Sequence, residues 1–417
     1  MLSLIGLLIV SLSQAQENIL PDYPLKMQAQ PDTLILPDSC EAWRRLYREL
    51  DSLRARQDTV ISIVHLGDSH IQAGHYSGKV MRLLQAVFGN AGRGWIAPLR
   101  LSRTNEPDDY FIKSVATDWI AGRCIQHNKK TPIGIGGIGV KSLSSSINLD
   151  VIVTPKNGAG YAFNKAILYR GSKSMPMLPA GHLKDSIQTL WADSVRVPGV
   201  LADTFQISRL TDTLQLHSTR REEGANTLLP ASSFSNIYYG FTLTNGNPGI
   251  LYHSIGVNGA MFVNYTDEAY WRQVALLKPS LLIISLGTNE TFGRRFNTAE
   301  FSGQIKRFLT IVKHTFPQTA ILLTTPPECY KRVWVNKKRS YARNSNTEGA
   351  AQAIRQVAKQ EGVACFDLFT ITGGKGSCLK WRNNRLLGPD RIHFRKEGYQ
   401  EQGILLFRAL MDSYNQH

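Results

Sequence analysis

Two patterns of apolar and polar positions follow one another along the chain and divide it. In the first, short unbroken apolar runs stand between stretches of helical spacing. Thr59–Leu66, Ser280–Leu286 (SLLIISL), Thr319–Thr325 (TAILLTT) and Val363–Phe369 are mostly apolar, and each is stopped on at least one side by Gly, Pro or Asp. All four predict strands, and Ser280–Leu286 and Thr319–Thr325 strands of the kind a parallel sheet covered on both faces contains. Ser39–Arg56 and Thr298–Phe316 predict amphipathic helices, Gly74–Phe88, Thr266–Leu277, Asn346–Gln360 and Arg395–Tyr414 further helices, and Leu251–Gly259 a strand running into a loop. Strand alternating with helix means an α/β sheet with helices on its faces. The second pattern fills Trp119–Leu251. Short β-rich runs (Asp150–Pro155, Gly160–Tyr169, Ile187–Trp191, Thr204–Ser208, Thr213–His217, Ile237–Leu243) are separated by Gly, Pro, Asn and Asp. That predicts a β-sandwich or jelly-roll insertion in the α/β chain. Gly89–Thr117 lacks helical periodicity, Gly373–Arg391 reads as a long loop, and no internal repeat is visible.

The expected divisions are therefore an α/β domain in two parts, 39–118 and 251–417, with an inserted β domain at 119–250. Before them, Met1–Ala15 (MLSLIGLLIVSLSQA) is apolar and ends in Ser13-Gln14-Ala15, the small-x-small pattern of a cleaved export signal. It lacks the usual basic start, so a beginning a few residues upstream, or a short anchor, stays open. The run is short for a membrane span, and no Cys follows it to carry a lipid. A periplasmic or secreted protein cleaved before Gln16 is expected, with a polar, Pro- and Gln-rich extended leader at 16–38. No later stretch approaches membrane-spanning length.

The 417 residues carry a formal charge of +16. The basic residues are scattered (Arg44/Arg45, Lys129/Lys130, Arg294/Arg295, Lys337/Lys338/Arg339) and match no nucleic-acid-binding motif. In an exported protein they suit an anionic envelope polymer, or simply a generically basic surface. Five cysteines, Cys40, Cys124, Cys329, Cys365 and Cys378, are too few and too irregular for a disulfide framework or a zinc cluster. One or two disulfides are permitted outside the cytosol, and Cys365 with Cys378 is the first pair to test.

Candidate chemistry lies where the apolar runs stop. The first strand ends in Gly67-Asp68-Ser69-His70 with a helix beyond, which puts a hydroxyl at the carboxyl end of a strand. Alone this is a weak signal, since Gly, Asp and Ser are ordinary turn and cap residues. Three further stretches fall at corresponding positions: Ile255-Gly256-Val257-Asn258-Gly259-Ala260, Ser285-Leu286-Gly287-Thr288-Asn289-Glu290, and Asp390-Arg391-Ile392-His393. Acyl transfer needs a nucleophile, a base, a carboxylate to orient the base and donors for the oxyanion. Ser69, His393 and Asp390 supply the first three. The Gly259 and Ser69 N–H groups and the Asn289 amide supply the donors.

In order and content these blocks resemble the SGNH (GDSL-type) hydrolases: Gly67-Asp68-Ser69, then Asn258-Gly259, then Gly287-Thr288-Asn289, then Asp390-Arg391-Ile392-His393. The resemblance implies a flavodoxin-like three-layer α/β/α fold, a serine mechanism without metal or cofactor, and carboxylester substrates. Two departures narrow it. His70 stands where Leu is usual, and the β-rich stretch separates the first two blocks. A Gly-Asp-Ser-His block with a β insertion is similar to the bacterial peptidoglycan O-acetylesterases, though esterases of other acetylated glycans share the architecture. Gly259 is preferred over Gly256 because its Asn-Gly-Ala context matches the family block better. The function expected is removal of O-acetyl groups from an envelope polysaccharide. Acetyl transfer to a glycan hydroxyl with the same triad, or glycan binding without catalysis, are the alternatives.

Several residues have plainer roles. Asp68 is expected to hold the turn, His65 to be a satisfied core histidine, and Glu290 to be a first-turn acid. His70 and His75 could touch substrate or merely pack. Gly134-Ile135-Gly136-Gly137-Ile138-Gly139 matches G-x-G-x-x-G, but no strand is expected before it and no helix after it. Dinucleotide binding is rejected in favour of close backbone approach near the active-site loops. Tyr161, Phe163, Tyr169, Trp191, Tyr238, Tyr239 and Phe241 could stack on sugars but fit a sandwich core better.

Overall fold

A computed structural model describes residues 34–37, 40–144, 146–155, 160–192, 197–219, 236–293 and 295–417. The apolar run Met1–Ala15 and most of the leader lie outside these residues. Among the described residues no helix is long and apolar enough to cross a membrane.

The apolar runs assemble into one sheet. Its spatial order is Leu34–Ile35, Ala364–Phe366, Ala320–Thr324, Leu281–Ser285, Val60–Gly67, Gly249–Gly256. The last five strands are mutually parallel. Numbered by chain order, those five lie 2-1-3-4-5, the flavodoxin-like order. All five residues of Leu281–Ser285 and of Ala320–Thr324 are buried, as a sheet covered on both faces requires. The end of the leader joins this sheet: Leu34–Ile35 adds an antiparallel edge strand against Phe366 and Cys365.

The expected helices form at Glu41–Arg54, His75–Phe88, Glu268–Val274, Thr298–Thr315, Asn346–Glu361 and Lys396–Asn415. His75–Phe88 packs on Lys396–Asn415, and Thr298–Thr315 on Asn346–Glu361. The fold expected from the residues is thus the fold observed. The long loop at 373–391 is broken by a short helix, Ser377–Asn383, capped by a positive-φ Gly376.

The β-rich part forms two antiparallel sheets, one ordered Ile187–Leu190, Val200–Thr211, Phe163–Gly171, Asn236–Thr244, Ile138–Ser142, Ile120–Arg123. The other is ordered Tyr110–Lys113, Ser146–Val153, Thr213–Thr219, Leu178–Pro179. Ser146–Val153 alternates buried and partly buried positions, the pattern of a sheet with one covered face. Two strands begin before Trp119: Gly94–Ile96 pairs with Leu243–Phe241, and Tyr110–Lys113 with Val153–Asp150. Two ion pairs are sealed inside this part, Arg93 with Asp109 at 2.6 Å and Arg170 with Asp203 at 2.5 Å.

Of the insertion's aromatics, Tyr161, Phe163, Tyr169, Tyr238, Tyr239 and Phe241 are core residues, while Trp191 is exposed. Gly134–Gly139 is a packing segment. A Cβ on Gly134 would stand 2.2 Å from the Tyr239 ring, and one on Gly136 2.8 Å from Trp95 Nε1. All five cysteines are free thiols, so the Cys365–Cys378 pairing does not form. Cys365 is buried in the Ala364–Phe366 strand, whereas Cys378 turns its backbone N–H to Glu328 Oε2 at 2.9 Å.

Candidate active site

The strands Val60–Gly67 and Leu281–Ser285 lie side by side where the strand order reverses, and both end at the same rim. Loops leaving neighbouring strands there diverge and leave a crevice. Ser69 begins a four-residue helical turn, Ser69–Gln72, directly after the first of these strands. Two glycines let that turn sit down on the sheet. A Cβ on Gly67 would lie 2.3 Å from Ile71 Cγ1, and one on Gly256 only 2.1 Å from the Gln72 backbone nitrogen.

His393 and Asp390 come from the segment before the last helix. Ser69 Oγ lies 2.8 Å from His393 Nε2, and His393 Nδ1 lies 2.7 Å from Asp390 Oδ2. With Nδ1–H donated to the carboxylate, Nε2 is left as the acceptor of the serine proton. Asp390 Oδ1 accepts the backbone N–H groups of Ile392 and His393, each at 3.0 Å. The carboxylate thus orients the ring and also closes the turn that carries it.

The electrostatics follow from these contacts. Partial burial would raise the Asp390 carboxyl, but the His393 hydrogen bond and the two backbone N–H donors hold it at about 2. His393 is raised above the ordinary imidazole value, chiefly by its hydrogen bond to Asp390. Burial pushes Asp68 up to about 7 and Glu290, the acid after Asn289, up to about 7 as well.

The sequence-predicted donors meet at the same place. Ser69, Gly259, Asn289 and His393 all line one cleft of about 640 Å³, with His75, Asn105 and Phe292. Among the described residues neither the Ser69 nor the Gly259 N–H donates a hydrogen bond, so both are unengaged donors. Asn289 differs. Both hydrogens of its amide are taken, by Asp68 Oδ2 at 3.1 Å and by the Ala260 carbonyl at 3.0 Å. In this resting arrangement Asn289 ties the Ser69 turn to the Gly259 loop.

Residues 230–401 match the GDSL-like lipase/acylhydrolase family. No curated protein matches the chain. A solved structure of a peptidoglycan O-acetylesterase covers 92% of this chain and 99% of its own, with a TM-score of 0.72 at 19% identity. A match of that extent takes in the β-rich insertion as well as the α/β part. A GDSL-like lipase from Bacteroides thetaiotaomicron VPI-5482 matches at 19% identity, over 39% of this chain and 76% of its own, with a TM-score of 0.30. An acetyl esterase variant holding an acetate ion matches at 17% identity, over 41% and 74%, with a TM-score of 0.30. The chain resembles the GDSL-type hydrolases. The family match together with the fold supports an acylhydrolase.

Within that GDSL-type frame the ambiguous residues find their places. Gly256 packs against the Ser69 turn, whereas Gly259, with φ +81° and its nearest Cβ contact at 3.7 Å, faces open space at the cleft. Asp68 holds the turn, accepting the His70 N–H at 2.9 Å. His70 is buried and bonds Tyr399 Oη at 2.8 Å, so it packs beside His393, whose ring centre is 5.4 Å away. His65 is a satisfied core histidine, bonded to Tyr252 Oη and Ser285 Oγ at 2.7 Å each. Burial drives both His65 and His70 down to about 3, so both stay neutral.

Sequence reasoning missed Gln72. Its carbonyl accepts the Asn258 N–H at 2.8 Å, and its amide donates to Thr104 and Asn105. It holds Asn258, the residue before Gly259, while Asn289 holds Ala260, the residue after it. The only signal was its position three residues after Ser69.

Proposed function

We propose that the protein is an exported serine esterase that removes O-acetyl groups from an envelope polysaccharide, peptidoglycan foremost, through an acetyl-enzyme. One observation carries the reading: the line Ser69 Oγ, His393 Nε2, His393 Nδ1, Asp390 Oδ2, with links of 2.8 and 2.7 Å, opening on a cleft beside two unengaged N–H donors. The peptidoglycan O-acetylesterase that shares the fold over 92% of the chain supports the substrate class. The signal-like Met1–Ala15 supports export.

In this reading Ser69 Oγ attacks the acetyl carbonyl carbon while its proton passes to His393 Nε2. The imidazolium is stabilised by Asp390, which stays ionised. The carbonyl oxygen gains the negative charge and is met by the Ser69 and Gly259 N–H groups. Donors fixed before the reaction stabilise that charge without reorganising. The bond to the sugar oxygen then breaks, and His393 returns its proton to that oxygen, releasing the free hydroxyl. Water, deprotonated by His393, attacks the acetyl-Ser69 ester. Its second tetrahedral intermediate collapses to acetate and regenerates the Ser69 hydroxyl.

The test is acetate release from O-acetylated peptidoglycan, with acetylated xylan alongside, for the wild type and Ser69→Ala. Release from peptidoglycan that disappears in the variant supports both chemistry and substrate. Release from xylan alone keeps the mechanism and moves the enzyme to another glycan. No release from either overturns the esterase. Turnover that requires an added glycan acceptor would make the enzyme a transferase.

A further inference from the structure

The strand Ala320–Thr324 does not lead directly into the next helix. A hairpin, Tyr330–Val335 paired with Lys338–Arg343, stands between them. Residues 330–343 (YKRVWVNKKRSYAR) hold six basic residues and no acidic one. The Lys337/Lys338/Arg339 run noted in the sequence is its tip.

The register sorts its side chains. Tyr330 lies opposite Arg343, Arg332 opposite Tyr341, and Trp334 opposite Arg339. Directly opposite residues share a face, and so do alternate residues of one strand. One face therefore carries three aromatic rings interleaved with three guanidinium groups. Arg343 is already engaged by Glu328 and Glu348. Arg332 and Arg339 meet no carboxylate among the described residues. Trp334 is 69% exposed, with the Arg339 guanidinium 5.6 Å from its ring centre.

The root of this face is fixed to the triad segment. The Tyr330 N–H donates to the Arg391 carbonyl at 3.0 Å. The Arg391 guanidinium lies 4.1 Å from the Tyr341 ring centre and 5.8 Å from that of Tyr330. Arg391 directly follows Asp390. A polymer held along the hairpin is thus tethered next to the residues that cleave its ester.

We propose that the Arg332–Trp334–Arg339 face is a holding site for a carboxylate-bearing glycan strand. This deepens the proposed function and rests on the substrate being a polymeric glycan. Guanidinium groups match carboxylates with two parallel hydrogen bonds. The exposed indole offers an apolar face for the C–H side of a sugar ring. Neither feature is needed to cleave an acetyl ester. Binding a remote part of the substrate raises kcat/KM for the polymer and gives nothing to a small ester.

The test uses the full chain with Arg332→Gln, Trp334→Ala and Arg339→Gln combined. In a Ser69→Ala background, cosedimentation with peptidoglycan sacculi should weaken by about tenfold, and sodium chloride should weaken the parent binding further. In the active enzyme, the ratio of kcat/KM on O-acetylated sacculi to kcat/KM on 4-nitrophenyl acetate should fall about tenfold. Arg332→Lys with Arg339→Lys keeps the charge, and it should recover only part of the binding because the paired geometry is lost. Sacculus binding that is absent in the parent, or the same in parent and triple variant, overturns the proposal. So does a parent that prefers single-stranded nucleic acid to sacculi, since the face would then serve a different polymer. Loss of the proposed substrate reads differently: the parent would bind sacculi through this face yet release no acetate from them.

Discussion

Asn289 Nδ2 and Asp68 Oδ2 are joined at 3.1 Å, which makes the third family block a brace for the first. The same amide also holds the Ala260 carbonyl, one residue past Gly259. Asn289→Ala should therefore lower kcat by roughly 10²-fold, the usual cost of disturbing an oxyanion site, with little change in KM. Asp68→Asn separates bracing from direct donation. An amide there cannot accept from both His70 N–H and Asn289, so kcat should drop about tenfold if bracing matters. Wild-type kcat in Asp68→Asn would return Asn289 to the role of direct donor alone.

The proposed triad makes a graded prediction. Ser69→Ala removes the nucleophile and should leave only the residual rate provided by binding and oxyanion donors. Asp390→Asn keeps an acceptor for the backbone N–H groups of Ile392 and His393 but loses the charge facing Nδ1. Its kcat should fall by roughly 10³-fold, because the ring loses its tautomer control and its counter-charge. Initial rates on 4-nitrophenyl acetate would measure both. An Asp390→Asn enzyme within twofold of wild type would mean that some other carboxylate orients His393.

The pH profile follows from His393. The base works only when neutral, and hydrogen bonding to Asp390 raises its pKa. Activity should therefore be full at alkaline pH and fall as pH drops through a midpoint above the ordinary imidazole value of about 6.5. Asp390, held at about 2, stays charged across that window and adds no inflection. Asp68, pushed up to about 7 by burial, titrates within it and acts in the same direction, since its protonation at low pH weakens the Asn289 brace. In Asp390→Asn the midpoint of the residual activity should move down, since the largest cause of the raised value is gone. A profile of log(kcat/KM) against pH for both enzymes checks the direction.

The α/β part and its candidate site were legible because three of the buried strands, Val60–Gly67, Gly249–Gly256 and Leu281–Ser285, stop at a block of unusual residues. Leu281–Ser285 shows the reason: five buried positions in a row leave no freedom of period, and Gly287-Thr288-Asn289 must begin where the sheet ends. What escaped was structure fixed by distant contacts. Gly94–Ile96 is three residues long and exists as a strand because Trp95 sits opposite Thr242. The Tyr330–Arg343 hairpin reads locally as a basic loop, and its anchor is Arg391, far away in sequence. The Asn289 amide was legible as a residue but not as an engaged one, since only the fold brings Asp68 and Ala260 to it.

The two glycines of the second block should behave differently when a methyl group is added. At Gly256 the new Cβ would meet the Gln72 backbone nitrogen at 2.1 Å and the Gln72 Cα at 2.5 Å. Those are main-chain atoms of the turn that carries Ser69, and they cannot rotate away. Gly256→Ala should cost about 1–3 kcal/mol of stability and also lower activity by displacing the nucleophile. At Gly259 the nearest atom is 3.7 Å away, so packing allows the methyl group, and only the φ of +81° resists it. Gly259→Ala should cost about 1–2 kcal/mol, confined to that loop, while kcat falls because the loop's N–H is re-aimed. Urea unfolding paired with 4-nitrophenyl acetate turnover reads both effects. If Gly259→Ala kept full kcat while Gly256→Ala lost it at unchanged stability, the oxyanion donor would belong at Gly256 and not at Gly259.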